Sequence, residues 1–213
     1  MTPAIAPVYF SGAVEGIVDE AAARRLIDHV GGALGVPYGR NGKEYLRERI
    51  NGFNTAAAHS PWFVLVDLDH EADCAPPMRT VWLSNPARYM CFRIAVREIE
   101  AWLMGDRQRL AGFLRVAQSR IPHEPEGVAD PKQVMVDIAR ASRRRSIVQD
   151  MVPRPGSGVM IGPAYSSRLV EFIQAPAGGW RPRVAARRVP SLARNIIRLR
   201  QIIEVGRRLQ SGR

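Results

Sequence analysis

The chain has 213 residues, 46% hydrophobic and 24% charged, which excludes a disordered protein and gives enough length to bury a full core. Its formal net charge of +11 is unevenly spread: residues 1–100 carry 10 Lys and Arg against 12 Asp and Glu, whereas residues 101–213 carry 21 against 8. Nearly all of these bases are arginines, whose planar fork suits phosphate oxygens. The second half of the chain is therefore predicted to bind a polyanion, with nucleic acid as the expected partner.

Cysteine content and apolar runs exclude two further classes of protein. Cys74 and Cys91 are the two cysteines and form no CxxC pair, so neither a disulfide framework nor a zinc knuckle is indicated. No run approaches the roughly 20 apolar residues of a membrane helix, and the N-terminal residues lack a basic segment followed by a long apolar one. We expect a reduced, cytoplasmic protein with no membrane partner.

The first half of the chain alternates short apolar runs with helical patterns, which is typical of an α/β fold. Glycine and proline turns separate these segments. The predicted elements are strands at 4–10, 62–66, 78–83 and around Phe92–Val96, helices over 19–30 and 43–58, a loop around 35–42, and a helix from Glu98 that is interrupted at Gly105–Asp106.

The second half is predicted to be mainly helical. A proline-rich segment, Pro122–Pro131, is the predicted boundary between an α/β domain over 1–121 and a basic, mainly helical C-terminal region over 122–213. The predicted helices cover about 131–145, about 164–173 and a last segment from Ser191, with loops at 153–163 and 176–190.

Carboxylates follow two of the predicted strands, at the edge where parallel sheets bind ligands. Glu15 follows the first strand and precedes Gly16, and Asp67 and Asp69 follow the apolar run WFVLV. In an extended chain Asp67 and Asp69 point to the same side, where they repel each other unless a cation neutralises them. Mg²⁺ is the expected occupant, with Mn²⁺ as the alternative.

A third acidic pair, Glu98 and Glu100, lies where the strand pattern changes to a helical one. Residues two apart diverge on a helix, so we expect one of them to reach the acidic site and the other to bind Arg93, Arg97 or a backbone amide. Which of the two faces the site stays open. The predicted catalytic residues are Glu15, Asp67, Asp69 and Glu100, and the predicted metal ligands are Glu15, Asp67, Asp69 and Glu98.

Arginines of the second half supply the predicted nucleic-acid surface. Any single arginine is more simply a solvated residue, so it is the one-sided charge that indicates phosphate binding. The predicted binding residues are Arg143, Arg144, Arg145, Arg187, Arg188, Arg194 and Arg198.

Four segments, VEGIVDEAAARRLI, FVLVDLDHEADC, FRIAVREIEAWLMGD and VPSLARNIIRLR, resemble in this order the bacterial DUF4276 family, whose front half is similar to the Toprim fold of topoisomerases, primases and OLD-type nucleases. The resemblance implies a small parallel sheet flanked by helices. It makes Glu15 the proton-transfer residue and Asp67 and Asp69 the Mg²⁺ ligands of a phosphoryl-transfer site. It also implies an ABC-type ATPase partner and a role as a nuclease effector in phage defence.

Two other functions compete with a metal-dependent nuclease. The chain could keep the fold as a non-catalytic, nucleic-acid-binding or regulatory subunit of an ATPase-associated complex. The segment VLVDLDH is also similar to the nucleophile motif of HAD-type phosphatases, in which Asp67 would attack and Asp69 would protonate the leaving group. His70 and Glu71 stand where that motif has a threonine, which weakens this interpretation.

Overall fold

A computed structural model describes residues 6–39 and 41–211. Residues 4 and 5 of the first predicted strand lie outside the described residues. In chain order the elements are β1 (Val8–Val14), α1 (Ile17–His29), β2 (Gly32–Leu34), β3 (Tyr38–Gly39), α2 (Gly42–Ala56), β4 (Trp62–Asp67), α3 (Ala75–Trp82), β5 (Met90–Ala95), α4 (Ile99–Met104), α5 (Arg107–Leu114), α6 (Pro131–Arg140), α7 (Arg145–Met151), α8 (Tyr165–Gln174), α9 (Pro182–Ala185) and α10 (Pro190–Ser211).

The strands form one small parallel sheet in the order β2-β1-β4-β5, with β3 pairing the far end of β1. The register places Ser11 opposite Trp62 and Val14 opposite Leu65. Helices α1 and α2 pack against β1. All six residues of β4 are buried, as is expected for a central strand of a parallel sheet. The predicted α/β fold with a small parallel sheet flanked by helices is confirmed.

The chain divides into two compact units. Unit 1 comprises Met1–Val66, Pro76–Ile94 and Arg194–Arg213, and contains the body of the sheet. Unit 2 comprises Asp67–Ala75 and Ala95–Ala193, and is helical. The predicted division into domains 1–121 and 122–213 stays a prediction, while the mainly helical character of 122–213 agrees with α6 to α10. No helix in the described part of the chain is long and apolar enough to cross a membrane.

Four local predictions were wrong. The loop predicted over 176–190 contains helix α9. The segment 78–83 is not a strand but belongs to helix α3, because Met78 and Trp82 are buried four residues apart on one helical face while Val81 is 76% exposed. The loop predicted around 35–42 contains strand β3, and β2 precedes it. The helix predicted over 131–145 ends at Arg140, and α7 begins at Arg145.

Unit 2 has its own core around Trp102 of α4, which is fully buried. The Trp102 indole N–H donates to Ser191 Oγ at 2.7 Å, and the Trp180 indole N–H donates to the Trp102 carbonyl at 3.2 Å. Both buried indoles therefore have hydrogen-bond acceptors, so α4 is held firmly where it begins beside Glu98 and Glu100.

Candidate active site

Asp67 and Asp69 lie at the carboxyl end of β4. Asp67 is the last residue of the strand and is 9% exposed. Asp69 has a φ of 49°, a left-handed conformation that few residues other than glycine adopt. Its amide donates to the Arg97 carbonyl at 2.9 Å, and Arg97 Nη1 donates to the Asp69 carbonyl at 3.1 Å. These two bonds tie the turn after β4 to the segment that follows β5.

Glu98 precedes helix α4 and binds the first turn of helix α6. Its Oε2 accepts from the Lys132 backbone N–H at 2.8 Å, and its Oε1 accepts from the Lys132 ammonium at 2.9 Å. The α6 N-terminus needs such acceptors because its first N–H groups have no partner within the helix. Asp130 supplies a second one, accepting from the Gln133 N–H at 2.7 Å. The expectation that one glutamate of this pair binds a backbone amide holds for Glu98, and the amide is that of Lys132.

Glu100 is in the first turn of α4 and is 2% exposed. Its Oε1 accepts a hydrogen bond of 3.0 Å from the Tyr165 hydroxyl, whereas its Oε2 is buried and has no hydrogen-bond partner among the described residues. Burial raises the pKa of the Glu100 carboxyl; the charge of Lys132 opposes this shift and that of Glu98 adds to it. Burial, followed by the charge of Glu100, also raises the pKa of Tyr165.

Lys132 carries the compensating charge. Burial alone would lower the pKa of its ammonium, but the charges of Glu100, Glu98 and Asp67 outweigh burial and raise that pKa. Lys132 therefore stays protonated at neutral pH. We call Asp67, Glu98, Glu100, Lys132 and Tyr165 the carboxylate–lysine cluster. All of these residues belong to unit 2.

The donor chemistry of the cluster suits a hard divalent cation. Over residues 6–39 and 41–211, no three His, Cys, Asp or Glu side chains are gathered closely enough to hold an ion by themselves. Mg²⁺ often takes only one or two protein carboxylates and completes its shell with water and substrate phosphate. Asp67 and Glu100 offer such oxygens, and the buried Glu100 Oε2 without a hydrogen-bond partner is the atom that a cation would satisfy.

Glu15 directly follows β1 in unit 1 and is half-buried. Because Val14 pairs with Leu65, Glu15 comes one residue beyond the paired part of β1. Gly16 has a φ of −147°, extended backbone that any residue can adopt, so the turn after Glu15 does not require glycine. The Gly16 N–H donates to Asp19 Oδ2 at 3.1 Å. The predicted catalytic and metal-binding role of Glu15 stays a prediction.

Lys132 and Tyr165 are site residues that the sequence analysis missed. Tyr165 carries no sequence signal. Lys132 does carry one, because it is the single lysine of residues 101–213, where every other fixed cation is arginine. A lysine in an otherwise arginine-rich segment indicates a position that requires a compact ammonium and not a planar guanidinium.

The predicted nucleic-acid-binding arginines are divided between the units. Arg194 and Arg198 belong to unit 1 and the other predicted arginines to unit 2. Arg143 and Arg144 are exposed and line a cavity of about 700 Å³ with Arg115. Arg109, Arg115 and Arg144 line a second cavity of about 470 Å³. These two cavities form a basic cleft on unit 2, and it includes Arg109 and Arg115, which the sequence analysis did not select.

The chain matches no protein-family model, no curated protein and no solved structure. The resemblance to DUF4276 therefore stays an interpretation of the motifs.

Proposed function

We propose that the protein is a Mg²⁺- or Mn²⁺-dependent enzyme that cleaves or otherwise processes phosphodiester bonds in nucleic acid. The observation that carries this proposal is the carboxylate–lysine cluster. A buried acid at the end of β4 and a second one in the helix that follows β5, gathered around a charged lysine, are more typical of catalytic sites than of a solvated protein surface. The left-handed backbone of Asp69, in the turn that directly follows Asp67, supports the proposal as well.

Four residues of the cluster have a role in this proposal, together with Asp69 and Glu15, which lie outside it. Asp67 and Asp69 would hold the metal ion, which supplies charge neutralisation and a bound water of lowered pKa. Glu98 orients Lys132 by accepting from both its ammonium and its backbone N–H, and the ammonium offers further donors to a phosphate oxygen. Glu15 is the proposed proton-transfer residue on the strength of the resemblance. Glu100 contributes either a metal ligand or a buried acid.

The basic cleft supports nucleic acid as the substrate class. The guanidiniums of Arg109, Arg115, Arg143 and Arg144 make no ion pair within the described part of the chain, so they are available to backbone phosphates. Glu171, the acid that lines the cleft, is already paired with Arg168. An ABC-type ATPase partner and a role in phage defence rest on the resemblance alone and extend the proposal.

A second candidate function is favoured by one observation. Lys132 already neutralises much of the carboxylate charge, as the ion pairs of purely structural networks do. In that case the chain is a non-catalytic, nucleic-acid-binding subunit, and its cluster serves only to hold α4 against α6.

Cleavage assays separate the two functions. Purified protein is incubated with supercoiled plasmid DNA or with tRNA, in Mg²⁺, in Mn²⁺ or in EDTA. We expect metal-dependent cleavage that falls about 100-fold or more in Asp67→Ala and in Lys132→Met, since such groups act on charge that develops in the transition state. Asp137→Ala is the matched control because Asp137 is an exposed acid of α6, and it should cleave like wild type.

Three results would count against the enzyme. Cleavage that survives Asp67→Ala places the activity elsewhere. Binding of both nucleic acids without cleavage in either metal favours the non-catalytic subunit. Hydrolysis of small phosphate monoesters without cleavage of nucleic acid would instead support the phosphatase function, with Asp67 as the nucleophile.

A further inference from the structure

A small cavity in unit 1 lies between strand β5, helix α3 and helix α10. Its volume is about 160 Å³. Water occupies roughly 30 Å³ in the liquid, so the cavity has room for about five non-hydrogen atoms. Its lining includes three arginines, one from each element: Arg79 from α3, Arg93 from β5 and Arg198 from α10. We call this cavity and its three arginines the arginine pocket.

Two of the three guanidiniums are held by backbone carbonyl groups. Arg198 donates to the Met90 carbonyl through Nε at 3.3 Å and to the Arg88 carbonyl through Nη2 at 2.8 Å. Arg93 donates through Nη2 to the Arg194 carbonyl at 3.4 Å. Neutral carbonyl groups orient the guanidiniums without cancelling their charge, so the pocket keeps its positive potential.

No carboxylate compensates this charge within the described residues. None of the three arginines takes part in an ion pair there. Burial lowers the pKa of Arg93; the neighbouring Cys91 sulfur opposes this shift, and the charges of Arg79 and Arg198 add to it. The Arg93 Nε is also buried and has no hydrogen-bond partner within residues 6–39 and 41–211. A buried charged donor without an acceptor is costly to keep, which indicates that a ligand supplies the acceptor.

Cys91 borders the same pocket, but its chemistry excludes a covalent role. Its side chain is 1% exposed, and burial raises the pKa of the thiol to about 11, although Arg93 and Arg198 partly oppose the shift. The thiol is therefore protonated at neutral pH and is a poor nucleophile. The pocket is suited to binding and not to cysteine-based phosphate transfer.

We propose that Arg79, Arg93 and Arg198 form a binding site for a single dianionic phosphate group. Three guanidiniums without an acid match a dianion better than the single charge of a phosphodiester, and the volume admits one tetrahedral group rather than a length of strand. The phosphate is either inorganic phosphate or the terminal phosphate of a nucleotide or nucleic-acid strand. The site lies wholly in unit 1 and does not depend on the proposed nuclease function.

The test is calorimetric titration of the whole protein with inorganic phosphate, and then with a dinucleotide that carries either a 5′-phosphate or a 5′-hydroxyl, all at matched ionic strength in EDTA. The wild type should bind phosphate. Arg79→Gln should weaken this binding about tenfold or more, the loss expected for one charge-assisted hydrogen bond. Arg79 is exposed on a surface helix, so this variant should fold even if a change at Arg93 does not.

Arg88→Gln is the matched control. Arg88 is an exposed arginine of unit 1 that is not part of the pocket lining, and its substitution removes the same charge while it leaves in place the backbone carbonyl that accepts from Arg198. Equal weakening by Arg88→Gln and Arg79→Gln would show general electrostatic attraction and overturn the site. Absence of binding by both phosphate and the 5′-phosphorylated dinucleotide would overturn it as well.

Binding of the 5′-phosphate form alone would support the site and assign it to a strand end, whereas binding of inorganic phosphate supports a free-anion ligand. Because EDTA suppresses metal-dependent cleavage, neither result bears on whether the protein is a nuclease.

Discussion

Lys132 bridges both carboxylate oxygens of Glu98, with its ammonium on Oε1 at 2.9 Å and its backbone N–H on Oε2 at 2.8 Å. Lys132 therefore contacts the Glu98 carboxylate through a flexible donor, its ammonium, and a rigid donor, its backbone N–H. The rigid bond fixes Glu98 to the start of α6, and the ammonium then has one preferred position beside Glu100. An arginine at this position would place a longer and wider group in the same space.

We expect Lys132→Met to destabilise the protein. The change leaves Glu98 and the buried Glu100 without their compensating cation, and the free energy of unfolding should fall by about 2 kcal/mol at neutral pH. Urea denaturation followed by circular dichroism measures the loss. Arg140→Met in the same helix is the matched control, since its pair with Asp137 is exposed and should be worth less than about 1 kcal/mol. Equal losses of unfolding free energy in the two variants would show that Lys132 does not compensate the charges of Glu98 and Glu100.

Glu100→Gln should change how stability depends on pH. The folded-state pKa of Glu100 is raised above its ordinary value of 4.5, so the folded protein holds this proton more tightly than the unfolded chain. The contribution of Glu100 to stability is therefore complete below about pH 4.5 and is lost as pH rises through the folded-state pKa. Glutamine cannot ionise, so the variant should gain stability relative to wild type as pH rises.

Urea denaturation of both proteins between about pH 4 and pH 8 tests this, with the difference in unfolding free energy as the readout. Glu204→Gln is the control, because Glu204 is an exposed residue of α10 and its substitution removes a carboxylate without changing a buried site. Parallel curves for Glu100→Gln would show that the Glu100 pKa is not raised on folding.

Asp106→Ala should be among the most damaging single substitutions in unit 2. Asp106 is fully buried, caps α5 through the Arg109 N–H, and accepts from Arg181 Nε at 2.9 Å and from Arg181 Nη2 at 2.8 Å. Removing it leaves Arg181 without its acid and α5 without its cap, at a cost of about 3 kcal/mol or more. Thermal unfolding measures the effect. Asp137→Ala, at an exposed pair, should shift the melting temperature little, and a comparable shift would refute the ranking.

Two glycines should respond to alanine in opposite directions. A Cβ at Gly105 would lie 2.8 Å from the Ala185 carbonyl oxygen and 3.0 Å from the Ala185 Cα, which are backbone atoms that cannot move aside. A Cβ at Gly112 in α5 would meet nothing within 4 Å. We expect Gly105→Ala to destabilise the protein by about 1–3 kcal/mol through overpacking, and Gly112→Ala to stabilise it by up to about 1 kcal/mol through helix propensity. Chemical denaturation of both variants checks the sign of each change.

The sequence predicted the sheet because the strands that form it carry strong local signals. The run Trp62–Val66 is apolar without interruption, and the large apolar residues Phe92, Ile94 and Val96 recur at every second position, so both strands were identified. Segment 78–83 was misread because a short apolar run fits either a strand or a helix, and packing of Met78 and Trp82 decided in favour of the helix. Strands β2 and β3 are too short to show a period at all.

The candidate site was predicted only in part. The positions of Asp67, Glu98 and Glu100 followed from strand ends, which local patterns show well. Lys132 and Tyr165 approach these acids from 30 or more residues further along the chain, and their contacts depend on how the helices of unit 2 pack. Neither propensity nor spacing in a single sequence contains that information.

The order of the segments that make up unit 1 has a consequence for synthesis on the ribosome. Its third segment begins at Arg194, after the whole of unit 2 has been translated. That segment supplies Asn195, which is fully buried and accepts a contact of 3.6 Å from Cys91 Sγ, and Gly206, where a Cβ would lie 3.0 Å from Val8 Cγ1. During synthesis the sheet of unit 1 therefore lacks the helix that covers it until the last segment has been translated. The residues of unit 2, which end at Ala193, are all available before that point. A chain that stalls before Arg194 would leave apolar sheet surface exposed, which makes it a natural client for chaperones.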